Sequence, residues 1–265
     1  MTTLTAYLGA ASLHAPGTDG WAALSDAVAS GAGAPDTDVA AWQPRPASLS
    51  PRQAKRLSLQ TRLAILSAED IADALPAEAA WVFASSSGEG ETLHVILEAQ
   101  ATAEMLVSPV RFQNAVHNAA AGQWSIARSL TGPMTSIAAF DDSVAAGLLK
   151  AALQVHLERR AVGAVFFDAP LPVPLFEKRP IEMPMSASLA LTPDRTTHAS
   201  HRLRFSQSDA APSPATTARG RALMATGNPV AAVLPLLEAV LSGAEAEVAL
   251  RQAGGSALVV SVEPL

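Results

Sequence analysis

Two hydrophobic periods alternate along this chain. Short apolar runs suited to buried strands occur at Leu4 to Ala11, Ala80 to Ala84, Thr135 to Phe140 and Val162 to Phe167, and again at Met185 to Leu191, His201 to Phe205 and Ala253 to Val262. Between them lie stretches in which apolar residues recur at helical spacing. These run from Gly20 to Ser30, from Ser50-Pro51 to Ala68, from Leu93 to Gln100, and from Val144 through Leu148, Leu149 and Leu153. A further helix from Ala218 to Ser242 is interrupted by Gly227-Asn228-Pro229. Serine before proline at 50–51 is a helix start, because serine caps the free N–H groups and proline has none to lose. Gly31 to Pro51, rich in glycine, proline and aspartate, reads as a loop, and Asp209 to Thr217 as a flexible linker. Strand, helix and strand in alternation imply an α/β fold with right-handed crossovers. Met185 to Leu191 and His201 to Phe205 are expected to pair with each other across a turn at Pro193-Asp194.

Composition narrows the function classes. With 265 residues, 49% of them hydrophobic, the chain can bury a substantial core. A net charge of -6, without a lysine or arginine run, argues against a nucleic-acid partner. The longest apolar stretch, Pro229 to Leu241, is too short to span a bilayer and carries Glu238, so a cytoplasmic protein is expected. Cys 0 removes disulfides, thiolate metal sites and thiol nucleophiles together. His198 and His201 lack neighbouring acidic or thiol ligands and read as exposed loop histidines, so neither a metal nor a cofactor is expected. Ser85-Ser86-Ser87-Gly88 follows a strand and precedes a helix, a common place for ligands, yet it matches neither a phosphate loop nor a nucleophile elbow. Arg52, Lys55, Arg56 and Arg62 form a basic helix side, which is either a solvated face or a surface that steers an acidic partner.

The stretch Ser108 to Lys150 organises the chain. Gly132-Pro133 breaks a helix, a short apolar strand follows, and Asp141, Asp142 and Ser143 stand where the next helix begins. A strand turning sharply into a helix exposes one residue at the helix's positive end, where backbone N–H groups can hold a developing anion. Upstream, Pro109, Phe112, Asn114, Asn118 and Ala119 to Gly122 form a second cluster, with His117 and Trp124 beside it.

These two clusters resemble the β-ketoacyl synthases of the thiolase superfamily. The second is similar to the chain-length-factor-like proteins of aryl polyene and xanthomonadin pigment clusters. In the family the strand-turn-helix carries the nucleophilic cysteine, and registering Gly132, Pro133, Ser136 and Ser143 on its motif places Asp141 at that position. The family's two catalytic histidines have no counterparts here. A carboxylate is a poor attacker of a thioester, so the resemblance implies no catalytic residue in this chain. It implies a thiolase-like layered fold (α-β-α-β-α) with a shortened C-terminal half. Residues 1–180 would form the synthase-like N-terminal half and 181–265 the shortened remainder. It further implies a heterodimer with an active β-ketoacyl synthase, with an acyl carrier protein reached through that partner. Phe140, Asp141, Asp142, Ser143 and His117 would surround the degenerate site, and Phe112, Asn114, Asn118, Gly122 and Trp124 the subunit seam. Asp141 and Asp142 are equally suited to capping their helix, and His117 to a structural hydrogen bond. An alternative is an acyl-thioester hydrolase or acyltransferase of the same fold, using Ser143 or Asp141 with His117.

Overall fold

The computed structural model describes residues 3–102 and 106–265. The chain opens with a long strand, β1 (Leu4–Ala15), which turns back through β2 (Thr18–Asp19) into α1 (Gly20–Ala29). The expected loop follows, and the helix predicted from 50 to 68 is in fact two, α2 (Pro51–Ala54) and α3 (Leu59–Ala72). Ser50 caps the first and Ser58 the second, so the break falls where a second capping serine competes with helix continuation. Next come β3 (Ala80–Ala84), α4 (Gly90–Gln100), α5 (Pro109–Asn114) and α6 (Ala119–Arg128). The central strand-turn-helix is β4 (Met134–Ile137) and α7 (Ser143–Glu158), with β5 (Val162–Asp168) and α8 (Leu175–Lys178) after it. The C-terminal part holds β6 (Met185–Thr192), β7 (His201–Ser208), α9 (Ala218–Met224), α10 (Leu234–Ser242), β8 (Ala246–Arg251) and β9 (Ala257–Pro264).

All strands join one mixed sheet in the order β4-β3-β5-β6-β1-β7-β9-β8, with β2 paired to β1. β3 pairs in parallel with both β4 and β5, and the other pairs are antiparallel. The expected pairing of 185–191 with 201–205 is not made, because β1 lies between them. Its residues Leu4 to Leu8 pair with β7, and its later residues pair with β6 past an irregularity at Gly9. A twelve-residue strand can serve both neighbours, and this sharing joins the two parts of the sheet.

Strand alternation builds two cores. Trp81, Phe83, Val165 and Phe167 face α3 and α6, whereas Val82, Ala84, Ala164 and Phe166 face α7. Leu203, Phe205, Val248, Leu250, Val260 and Val262 from the C-terminal strands belong to the same core as α7 and α10. Helix α7 touches β3 and β5 and also β8 and β9. On a flat sheet those strands would lie roughly 20 Å apart, too far for a helix of about 10–12 Å diameter. The sheet therefore curls around α7 and α10, and the layers run helix, sheet, helix, sheet. This is the thiolase-like α/β arrangement that the resemblance implies. Among the described residues no helix covers the outer face of β7-β9-β8, which instead carries Arg204 and Glu247 in solvent and Glu263 paired with Arg202 and Arg204.

Residues 209–217 form no helix or strand, as their composition predicts, but they are anchored rather than free. Ser213 exchanges hydrogen bonds with Ala249 on the edge of β8, and the buried Glu238 carboxylate accepts four hydrogen bonds from Thr216 and Thr217.

Candidate functional site

Between β4 and α7 the backbone turns within a few residues, and Phe140 takes the strain, with φ of 53°. For a residue with a Cβ this left-handed conformation costs about 1–2 kcal/mol. Ser143 braces the turn: its hydroxyl accepts from the Ala139 N–H at 2.9 Å and donates to the Phe140 carbonyl at 2.7 Å. Asp141 and Asp142 form the single helical turn that leads into α7, near its positive end.

Both carboxylates are bound by arginines from distant parts of the chain. Arg179, just after α8, reaches Asp141 Oδ1 at 2.6 Å, and its guanidinium lies over the Phe140 ring, 3.7 Å from the centroid. Arg251, at the end of β8, approaches Asp141 Oδ2 at 3.6 Å and Asp142 Oδ1 at 2.9 Å. Phe140 itself is 64% exposed. The turn is thus held by two ion-paired carboxylates and by a hydroxyl that both donates and accepts within it. It carries no thiol, and Asp141 and Ser143 are engaged by Arg179, Arg251 and the backbone of the turn.

His117 does not join them. It is exposed beside Gly88, whose positive φ of 53° leaves no room for a side chain, since a Cβ there would meet His117 Nδ1 at 2.9 Å. His117 lines a cavity of about 510 Å³ over β4 with Asn118, Gly122, Met134 and Ser136. Asp141 lines a different one, of about 320 Å³, with Asn228 and Arg251. No hydrogen bond connects His117 to Ser143 or Asp141 among the described residues, so the nucleophile-base contact of the hydrolase alternative is not assembled. Of the expected seam residues, Phe112 is 68% exposed, and Asn118 and Gly122 are also at the surface. Asn114 and Trp124 are corrections, because both are buried in this chain's own packing. Asn114 donates to the Arg56 carbonyl and accepts from Gln123, and Trp124 meets Trp81 edge-on at 5.1 Å.

Other polar clusters were not legible as sites. The Ser85–Ser87 loop spends its groups on Asp168 at the end of β5, which accepts from the Ser85 and Ser87 hydroxyls at 2.9 and 3.1 Å and from the Ser86 and Ser87 backbone N–H groups. Burial pushes the Asp168 carboxyl above the ordinary range, and these hydrogen bonds only partly offset it. Asn228 joins the cluster by donating to the carbonyls of Asp168 and Met183. At the other end of the sheet, Asp70 of α3 accepts from Ser12 and meets His14 Nε2 at 2.8 Å. Burial raises the Asp70 carboxyl, but the bonds from His14 and Ser12 outweigh it and hold the group low. His201, expected in an exposed loop, is buried in β7, and burial pushes its ring below the usual histidine range. His198 is exposed, as expected.

Curled mixed sheet, central helices and a strand-turn-helix facing the end of β8 define a thiolase-like protein. More narrowly, the sequence matches the β-ketoacyl synthase N-terminal domain over residues 29–252, and the chain belongs to that family. No curated protein sequence matches it. Its fold is shared with a chain of the ketosynthase (ApeO) in complex with its chain length factor (ApeC) from Xenorhabdus doucetiae, at TM-score 0.72 and 23% identity, over 97% of this chain and 99% of that one. The ishigamide ketosynthase/chain length factor is similar at TM-score 0.71 and 16% identity, over 99% of each chain. A β-ketoacyl synthase from Burkholderia phymatum is similar at TM-score 0.67 and 12% identity, over the full length of both chains. The chain is therefore not short beside these structures. No helix among the described residues is long and apolar enough to cross a membrane.

Proposed function

We propose that this chain is a non-catalytic, chain-length-factor-like subunit that pairs with an active β-ketoacyl synthase in type II polyketide synthesis, of the aryl polyene or a fatty-acid-like kind. The observation that carries the reading is the occupied nucleophile turn. Where the family needs a free thiol, this chain has carboxylates tied to Arg179 and Arg251. Membership of the family without its nucleophile leaves a supporting role, in which the subunit stabilises its partner and contributes wall to the acyl cavity. Asp141 and Asp142 would stand at that wall, with Phe140 at its rim toward the partner. The similarity to ketosynthase and chain-length-factor complexes agrees with such a pairing.

A seam for the partner is available at β4. This strand ends the sheet, all four of its residues are half-buried, and Phe112, Val116 and Ile126 are exposed on the elements leading into and along α6. An open strand edge beside apolar side chains is a surface that a soluble protein covers. The carrier protein would dock on the partner, with the exposed Arg52, Lys55 and Arg56 near the Phe112 helix available to steer an acidic surface. Substituting Ile126→Asp, which is 67% exposed and so tolerated in the fold, is expected to abolish co-purification with the co-expressed synthase. Co-purification undiminished by this change would place the partner elsewhere.

A further inference from the structure

We propose that Phe140 is the residue by which this chain anchors in its partner, its ring entering an apolar pocket of the paired synthase, and that Arg179 is the positioning residue that presents it. The inference rests on the partner reading above and adds to it a specific contact. A bulky aromatic sits at the one point of the turn where the backbone is left-handed, a place glycine or asparagine would fill with less strain, and it points outward, 64% exposed. Within the chain, the ring is met by the Arg179 guanidinium, 3.7 Å from its centroid.

Arg179 makes the arrangement rigid. Its side chain is only 15% exposed, it pairs with Asp141 at 2.6 Å, and its guanidinium sits over the ring. Around it stand Asp141, Asp142, Arg179 and Arg251, two acids against two bases, already paired with one another. A preorganised aromatic at the centre of a polar rim is the anatomy of an interface hot spot, and rigidity lowers the entropy lost on binding. The balanced collar offers no excess charge to a phosphate backbone or an anionic lipid headgroup, so the fitting occupant is an apolar protein pocket with a polar rim. The turn is held by its hydroxyl brace at Ser143, which keeps the ring in place before the partner arrives.

The test measures association of the purified chain with the purified synthase by surface plasmon resonance. Phe140→Ala is expected to weaken binding at least about ten-fold, mainly through faster dissociation, while Phe140→Trp stays within a few-fold of wild type. Phe140→Gly should melt at or above the wild-type temperature and still bind poorly, which separates anchoring from folding. Arg179→Lys should weaken binding alone but add nothing to Phe140→Ala, because a positioning residue acts only through the ring. Equal affinity for wild type and Phe140→Ala would overturn the anchor, and additive effects of the two substitutions would overturn the role given to Arg179. Failure of the wild-type chain to bind any synthase would instead overturn the partner reading beneath both.

Discussion

Asp168 is a buried carboxyl at the end of β5 whose ionisation is linked to folding. Its carboxyl is raised by burial, so the folded state holds a proton that the unfolded state releases at lower pH. The resulting stabilisation is complete below the unfolded carboxylate range, near pH 4, and is lost as pH rises through the higher folded value. Thermal melts from pH 4 to 8 should show this decline in the wild type and a flatter profile for Asp168→Asn. An unchanged slope in the variant would assign the pH dependence to another group. At this scale the sequence was informative where chemistry is local. The absence of cysteine was decisive, and Asp141, Asp142 and Ser143 were legible as a helix start. The residues that lock the turn were not, since Arg179 and Arg251 are distant in sequence and no spacing connects them to Asp141. Asp70 with Ser12 and His14, and Asp168 with the three serines, were hidden for the same reason. Asn114 and Trp124 misled because they share a motif with Phe112 and Asn118 but turn the opposite way, into the core.

Among the elements, capped helix starts leave a mark in the sequence, and so does a strand with an unbroken apolar run, but a short strand mixing small and charged residues does not. Ser50 and the break at Gly227 to Pro229 mark helix limits seen in the fold. β8, with the sequence Ala-Glu-Val-Ala-Leu-Arg, was missed because only one residue favours a strand and its pairing with β9 is what holds it. The turn into α7 depends on one hydroxyl. Replacing Ser143 by alanine removes both of its bonds and should destabilise the fold by about 1 kcal/mol, within a range of roughly 0.5–2. That corresponds to a loss of about 2–4 °C in melting temperature for a chain of this size, measured by calorimetry. A melting temperature equal to wild type would mean that Arg179 and Arg251 hold the turn without it. Close packing of α7 is set by Gly147, where a Cβ would come within 2.7 Å of Ala84 Cβ. Ala145, Ala151 and Ala152, buried on the same helix, keep it slim for the same reason.

At the scale of the molecule, the α/β class and family were legible, whereas the path of the sheet was not. β1 stands between β6 and β7 although its partners there lie about 170 to 200 positions away in sequence, and long-range placement of this kind leaves no local trace. The curl it permits lets α7 and α10 serve both parts of the sheet, so the C-terminal strands need no helical layer on their charged outer face. What remains open is the β4 edge with its exposed apolar neighbours, and the braced Phe140. Both features make sense in a subunit completed by another protein. The most direct test is the native mass of the complex formed when this chain is co-expressed with a cysteine-bearing β-ketoacyl synthase encoded beside it. The account predicts a one-to-one assembly in which all synthase activity is lost on replacing the partner's cysteine. A chain that stays alone, or pairs only with itself and turns over acyl thioesters unaided, would contradict it.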